Sequence, residues 1–173
     1  MIDLNTERMA GRGDAIRDGM KANKLFGLYD LCSKYVTKDM SILELGCHNC
    51  VSTRLLCEFS DDVTSVDMGE SRYVSVTKEK FKGFKFIRSS FHNFFMNNKT
   101  KFDLIYIDGN HIYRDVVIDI NNSLNHIKPG GFLTGHDYYT TETSGVPKAV
   151  KDCLSKYGEP EIFSDSSWLV HIK

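Results

Sequence analysis

The stretch that decides the fold is Phe102-Asp103-Leu104-Ile105-Tyr106-Ile107-Asp108-Gly109, a short apolar run that ends in an acid and a glycine. Such a run predicts a buried strand that ends just before Asp108. An amphipathic helix is predicted next, from Tyr113 to Ile127, and Lys128-Pro129-Gly130-Gly131 provides the residues that end it. A second strand is predicted from Phe132 to Gly135. The order strand, helix, strand indicates a parallel βαβ unit.

The same alternation extends outward to both ends of the chain. We predict further helices at 24–36, 52–59, 70–81 and 146–157, and further strands at 41–45, 63–66 and 84–88. Residues 161–163 and 168–172 predict a C-terminal antiparallel hairpin around a polar turn. The fold class that follows is α/β: a doubly wound, mainly parallel, Rossmann-like seven-stranded sheet that carries this hairpin at its end.

The length and net charge of the chain limit its possible functions. The chain has 173 residues, and we expect one domain at 25–173. The polar residues 1–24 are expected to form a lid over the site or a flexible end. A net charge of −1 without a basic run argues against a nucleic-acid partner. No apolar run approaches the ~20 residues of a membrane span, and no secretory signal is visible, so we expect a cytoplasmic protein with no membrane partner.

The cysteines allow two interpretations. Their number, five, is odd, which argues against a disulfide framework. Cys47 and Cys50 form a Cys-x-x-Cys pair, but a structural zinc site needs a second pair of ligands of this kind, and the sequence has none. The pair is therefore either two small residues in a tight turn or a redox pair on a βαβ unit.

Ligands of a doubly wound sheet bind beyond the carboxyl ends of its strands, so the residues that follow each strand matter most. Gly46 follows the first strand and allows a ligand to approach the backbone closely. Asp67 follows the second strand, where a carboxylate can accept hydrogen bonds from the two ribose hydroxyls of a nucleoside. The sequence thus predicts a nucleoside site at this edge of the sheet.

Two further acids follow strands that we expect to be neighbours. Asp108 and Asp137 end these strands, and His111 and His136 stand beside them. Carboxylates and imidazoles that converge in a crevice suit a divalent ion. Each acid alone can equally be a solvated strand end or a helix N-cap, and Asp108 precedes a predicted helix. His111 alone can be a surface residue of that helix's first turn.

Two blocks of the sequence resemble a known family. They run from Phe102 to Tyr113 and from Lys128 to Tyr138, with Asp119 between them, and the segment 145–150 continues the likeness. They resemble the class I S-adenosylmethionine (SAM)-dependent methyltransferases, in particular the metal-dependent O-methyltransferases that include macrolide-sugar methyltransferases. The resemblance implies methyl transfer from SAM to a hydroxyl of a small-molecule acceptor, sugar or natural-product-like, with Mg²⁺ or another divalent metal.

The resemblance also assigns roles to individual residues. His111 would be the general base and, with Asp108, would form the catalytic pair. The metal ligands would be Asp108, His136 and Asp137. The residues implied to bind SAM are Glu44, Gly46, Cys47, His48, Asp67, Met68, Ser90, Phe91 and Asp108. Because the chain has no large inserted cap domain, the acceptor site is expected to be open or to be completed by a second subunit of a homo-oligomer.

Three positions depart from the family's pattern. His48 and Cys50 stand where the first motif usually carries glycines, which narrows the space for the methionine part of SAM. His136 replaces an acidic ligand, and imidazole suits Mg²⁺ poorly, so a weakly bound Mg²⁺, a softer ion such as Mn²⁺, Fe²⁺ or Zn²⁺, or no metal at all are the alternatives. These departures support a second hypothesis, a SAM-binding protein without transferase activity.

Two other functions fit the sequence less well. A nicotinamide-dependent dehydrogenase predicts Gly-x-Gly-x-x-Gly after the first strand, and the chain has only Gly46 there. A non-enzymatic interaction domain leaves the polar residues at the strand ends unexplained.

Overall fold

A computed structural model describes residues 2–6, 24–139 and 145–173. The elements in these ranges are α1 (Phe26–Tyr35), β1 (Ser41–Leu45), α2 (Val51–Phe59), β2 (Asp62–Asp67), α3 (Arg72–Lys80), β3 (Phe84–Arg88), α4 (Phe91–Asn97), β4 (Phe102–Ile107), α5 (Tyr113–Leu124), β5 (Ile127–Gly135), α6 (Val146–Leu154), β6 (Glu161–Ile162) and β7 (Trp168–His171). None of the helices in the described part is long and apolar enough for a membrane span. Most of the predicted lid, residues 7–23, lies outside the described residues, so the lid stays a prediction.

The strands form one seven-stranded sheet in the order β3-β2-β1-β4-β5-β7-β6. β1 pairs in parallel with both β2 and β4, so the strand order reverses between β1 and β4. β7 lies antiparallel between β5 and β6. The predicted fold class is confirmed, including the C-terminal antiparallel hairpin.

Helices cover both faces of the sheet, which explains why the central strands are buried along nearly their whole length. Successive strand residues point to opposite faces. In β1, Leu43 and Leu45 face the layer of α4, α5 and α6, whereas Ile42 faces the layer of α1, α2 and α3. Each helix contributes buried side chains to its own layer, among them Leu28, Leu56, Val74, Phe94, Ile120 and Val150.

The boundary between α5 and β5 differs from the prediction. We expected the helix to reach Ile127, but α5 ends at Leu124 and β5 begins at Ile127, where Ile127 pairs with Phe102. The next pair is Leu104 with Phe132, so residues 128–131 bulge out of the ladder. A bulge tolerates Pro129, which has no N–H to donate. The burial of Ile127 in the core thus decides where the strand begins.

Candidate functional site

The loop after β1 packs directly on the backbone that follows β4. Gly46 has φ +92°, and a Cβ on this residue would lie 2.3 Å from the carbonyl oxygen of Asp108. Its N–H donates to the carbonyl of Val66 at the end of β2 (2.9 Å). Only glycine fits this position, because both the backbone angle and the space exclude a side chain. The loop is therefore fixed at the point where the strand order reverses.

The same loop keeps a glycine-like backbone at two residues that are not glycine. His48 has φ 41° and Cys50 has φ 57°, both in the left-handed region. Glycine adopts this region freely, whereas other residues do so at a cost of about 1–2 kcal/mol. These are the positions at which the resemblance leads us to expect glycines. Their side chains differ from that pattern, but their backbone has the conformation that glycine favours.

Asp67 ties this loop to the end of β2. Its Oδ2 accepts hydrogen bonds from the N–H groups of Cys47 and His48, each at 3.0 Å, and its Oδ1 accepts from Gly69 N–H at 2.9 Å. Oδ1 has a second lone pair that a ribose hydroxyl can use. Met68, the next residue, has an exposed side chain that is available to a ligand.

Glu44 lies beneath the loop rather than at the open edge. Its side chain is fully buried, and its two oxygens accept hydrogen bonds from the hydroxyls of Ser52, Thr53 and Ser65 at 2.5–2.7 Å. Burial raises the pKa of Glu44 to about 7, although the three hydroxyls partly offset this. The structure therefore places Glu44 as a support for the loop and α2. Direct contact of Glu44 with a cofactor stays a prediction.

Ser90 and Phe91 begin α4 at the neighbouring strand end. The Oγ of Ser90 is the N-cap, which accepts a hydrogen bond from Asn93 N–H at 3.2 Å. The ring of Phe91 packs on Gly109, since a Cβ on that glycine would lie 2.6 Å from its Cε2. Phe91 thus forms a wall beside the turn that carries Asp108.

The predicted cluster of acids and histidine is present where β4 and β5 end side by side. One carboxylate oxygen each of Asp108 and Asp137 and one ring nitrogen of His111 lie within 4.8 Å of one another. His111 Nε2 is 2.6 Å from Asp137 Oδ2. Asp137 itself has φ 62°, and this left-handed backbone is a form of strain that often marks functional residues.

Asp108 is not a helix cap, which removes one alternative. The N-cap of α5 is Ile112, whose own N–H donates to the side-chain Oδ1 of Asn110 (3.2 Å). His111 precedes the helix instead of lying in its first turn. Both residues therefore belong to the loop after β4.

His136 adds a fourth group to the cluster from its buried side. Its Nε2 is 2.6 Å from the carbonyl oxygen of Asp165, which can only accept, so Nε2 carries the hydrogen. Its Nδ1 then faces Asp137 Oδ1 at 3.3 Å and Asp108 Oδ1 at 3.9 Å. A bare lone pair there would repel both carboxylates. Nδ1 is consistent with its surroundings only when it holds a proton or a metal ion.

Asp165 supports the cluster from behind, and the sequence does not reveal this because the residue stands in a polar turn of the terminal hairpin. Besides accepting from His136, it binds two backbone N–H groups: Oδ2 accepts from Leu28 (2.9 Å) and Oδ1 from Ser167 (3.0 Å). The indole N–H of Trp168 donates to the carbonyl of His136 (3.2 Å). The hairpin thus orients His136 from behind.

The charges of the cluster support one another. The hydrogen bond between His111 and Asp137 raises the pKa of His111, although burial opposes this. Burial also opposes the ionisation of Asp137, but the charges and hydrogen bonds of His136 and His111 outweigh it and hold the pKa of Asp137 well below its usual range. At neutral pH the cluster therefore contains at least one ionised carboxylate that a cation can bind.

The donor set fits a divalent cation. Ligand atoms at about 2.1–2.3 Å from an ion lie up to about 4.6 Å apart, close to the spread of this cluster. Carboxylate oxygens combined with imidazole nitrogen suit Mn²⁺, Fe²⁺ or Zn²⁺ better than Mg²⁺, which prefers oxygen alone. The predicted ligands are Asp108, His136 and Asp137. The observed cluster has the same two carboxylates, with His111 as its nitrogen donor.

Comparison with known proteins places the chain in a family. Residues 43–138 match the family model described as a methyltransferase domain, and the chain belongs to this family. No curated protein sequence matches the chain.

Solved structures with the same fold include methyltransferases of three kinds. An rRNA methylase from Streptococcus thermophilus is 13% identical, with a TM-score of 0.65, over 84% of this chain and 95% of that one. An O-methyltransferase from Bacillus cereus in complex with S-adenosylhomocysteine (SAH) is 13% identical, with a TM-score of 0.59, over 84% and 79%. The N-methyltransferase NodS from Bradyrhizobium japonicum with SAH is 16% identical, with a TM-score of 0.57, over 83% of each chain. At these identities the likeness shows the fold alone.

Proposed function

We propose that this methyltransferase uses SAM to methylate a hydroxyl group of a small molecule, sugar or natural-product-like, with the help of a divalent cation. The observation that carries the proposal is the meeting of Asp108, His111 and Asp137 within 4.8 Å, beside a loop whose Gly46 touches the backbone of Asp108. A donor site and an acceptor site so close together suit group transfer.

The donor is proposed to lie along the loop after β1. Asp67 would bind the ribose through Oδ1, while Met68, Ser90 and Phe91 would flank the adenine. Gly46, Cys47 and His48 would line the methionine part. SAM supplies an already activated methyl group, so the protein's task is to position the two reactants. Two of the three solved structures described above contain SAH, the product of such a donor.

The acceptor is proposed to lie at the cluster. Asp108 and Asp137 would hold a divalent ion, which would supply Lewis acidity to the acceptor hydroxyl. His111 is half exposed at the mouth of the site, and Asp137 fixes its orientation. Its imidazole receives the proton of the hydroxyl. The buried His136 keeps its Nδ1 on the inner side of the cluster and excludes water there.

The small-molecule acceptor is preferred over RNA because the edge is acidic. The strand ends present Asp67, Asp108 and Asp137, and a phosphate backbone needs cations instead. The rRNA methylase among the structural relatives has the same fold, which does not determine the acceptor. We therefore expect neutral hydroxylated acceptors to be methylated and RNA not to be.

A second candidate function is SAM binding without methyl transfer. It is favoured by the side chains of His48 and Cys50, which occupy left-handed positions in the loop that would hold the methionine part. It predicts that SAH binds but that no acceptor is turned over.

Calorimetric titration of Mn²⁺ in the presence of SAH tests the proposed site. We expect Asp108→Asn to weaken Mn²⁺ binding at least tenfold, whereas Asp152→Asn, a carboxylate exposed on α6, keeps the parent affinity. His111→Gln distinguishes two roles of that residue. If His111 is the general base, the substitution leaves Mn²⁺ affinity unchanged; if it is a metal ligand, the substitution lowers the affinity. Equal Mn²⁺ affinity of Asp108→Asn and the parent protein would contradict a metal at this site.

Transfer of labelled methyl groups from SAM tests the acceptor class. We expect labelling of one or more members of a panel of sugars, phenols and polyketide-like alcohols, and none of ribosomal RNA. Labelling of RNA alone would contradict the small-molecule acceptor, and labelling of neither, with SAH bound, would favour the second candidate.

A further inference from the structure

The loop that is proposed to hold the cofactor contains two cysteines at the two ends of one tight turn. Cys47 and Cys50 are both buried, and each affects the pKa of the other. Cys50 N–H also donates to the carbonyl of Cys47 at 2.6 Å. Such a turn brings the two Cα atoms within about 7 Å, near the range of about 4.4–6.8 Å that a disulfide spans. The backbone already holds the pair close to the geometry of a disulfide.

The two thiols differ in their surroundings. Cys50 is the N-cap of α2, a helix of nine residues, and a helix N-terminus favours a thiolate. Pairing with Cys47 lowers the pKa of Cys50, although burial opposes this. The same pairing, together with burial, raises the pKa of Cys47. Cys50 is therefore the nucleophile of the pair, and Cys47 keeps its proton.

We propose that Cys47 and Cys50 are a redox modification site, which a peroxide converts to a disulfide and a thiol reductant restores. The thiolate of Cys50 attacks one oxygen of hydrogen peroxide and hydroxide leaves, which gives a sulfenic acid. The sulfur of Cys47 then attacks the sulfur of Cys50, and water leaves as the disulfide forms. In total, two thiols lose two electrons and two protons, and one peroxide becomes two waters. The burial of the pair restricts the oxidant to a small molecule of this kind.

The disulfide would move the loop, and this part of the inference rests on the proposed function. Disulfide sulfurs lie about 2.05 Å apart, much closer than hydrogen-bonded thiols. Cys50 is held by α2, so Cys47 must move toward it. The N–H of Cys47 donates to Asp67 Oδ2, and the preceding Gly46 has no free space against Asp108. Movement of Cys47 therefore disturbs the proposed ribose and methionine sites together.

The test compares reduced and peroxide-treated wild-type protein by peptide mass and by SAH affinity. The tryptic peptide 39–54 contains Cys47 and Cys50 and no other cysteine, while Cys57 lies in the next peptide, 55–72. We expect peptide 39–54 to lose two hydrogens and to regain them with dithiothreitol. We expect the affinity for SAH to fall at least tenfold on oxidation and to recover on reduction. Cys57→Ser should behave like the wild type, whereas Cys50→Ser should form no disulfide.

Two results would overturn the inference. One is a peptide 39–54 whose thiols stay reduced under conditions that oxidise the partly exposed Cys153. The other is an oxidised protein that binds SAH as tightly as the reduced one. Absence of SAH binding by the reduced protein would refute both the proposed function and the effect on the cofactor, while the peptide mass still decides whether the disulfide forms.

Discussion

His111 Nε2 lies 2.6 Å from Asp137 Oδ2, although the two residues follow different strands. The parallel pairing of β4 with β5 brings them together, since it aligns the carboxyl ends of the two strands. This pair has the geometry of a base oriented by a carboxylate.

Replacement of His111 tests whether it takes the acceptor's proton. We expect His111→Gln to lower kcat by ~10²- to 10⁴-fold, the usual contribution of a general base, with little change in SAH affinity. His92→Gln, an exposed histidine on α4, is the matched control and should keep the parent rate. Steady-state kinetics on the acceptor identified by methyl labelling provides the measurement. A rate within a factor of three of the parent's (roughly 0.7 kcal/mol) would exclude a general base at this position.

Gly46 offers a test that separates steric exclusion from backbone strain. We expect Gly46→Ala to abolish measurable SAH binding, because the new Cβ would lie 2.3 Å from a carbonyl oxygen. Gly130→Ala is the control: Gly130 has φ +78° with nothing within 4 Å of its Cβ, so it carries only the strain, about 1 kcal/mol. Calorimetry of SAH binding compares the two. Unchanged SAH binding by Gly46→Ala would mean that the loop is not packed as described.

Asp165 is expected to matter for stability more than its place in a turn suggests. Asp165→Ala leaves the N–H groups of Leu28 and Ser167 buried without partners, and we expect a loss of about 3 kcal/mol in the free energy of unfolding. Asp61→Ala, at an exposed ion pair with Lys38, should cost less than about 1 kcal/mol. Urea denaturation measures both. Equal midpoints for the two variants would contradict the structural role of Asp165.

Asp119 predicts a dependence of stability on pH. It is buried in α5, no donor in residues 2–6, 24–139 or 145–173 reaches its carboxylate, and burial raises its pKa to about 7. The folded state therefore binds this proton more tightly than the unfolded chain, whose aspartate pKa is about 3.9. Its contribution is complete below about pH 4 and is lost as the pH rises to about 7.

Asp119→Asn removes this titration. We expect the variant to gain about 1–3 kcal/mol over the parent at pH 8 and to gain nothing at pH 4, because burial penalises only the charged form. Asp30→Asn, exposed on α1, should follow the parent at both pH values. Urea denaturation at the two pH values measures this difference. An equal change in the free energy of unfolding at both pH values would indicate an effect of packing instead of charge.

Much of the fold follows from local pattern alone. Apolar runs that end in Gly46, Asp67 and Asp108 predict both the strands and the edge at which the ligand groups meet, because strand ends of a doubly wound sheet share one edge. The end of α5 was misplaced because Pro129 and Gly130 also suit a bulge, and only the pairing of Ile127 with Phe102 distinguishes the two.

The meeting of acids and a histidine at one edge follows from the sequence, but the contacts around them do not. Asp108, His111 and Asp137 were identified together, whereas no local signal places Asp165 against His136, since their contact depends on how β7 packs beside β5. Glu44 is a second example: hydroxyls of α2 and β2 enclose its carboxylate, which no local signal reveals, and its contact with SAM stays a prediction.

The central claim is that this methyltransferase takes its methyl group from SAM at the edge formed by β1, β2 and β4. Calorimetric titration of SAH into the reduced protein, with and without Mn²⁺, tests it most directly. We expect one SAH per chain with a micromolar Kd, and a Kd that Asp67→Asn raises at least tenfold, because the amide has one acceptor oxygen where the carboxylate has two. No heat of binding under any metal condition would contradict SAM as the donor, although the fold would stand.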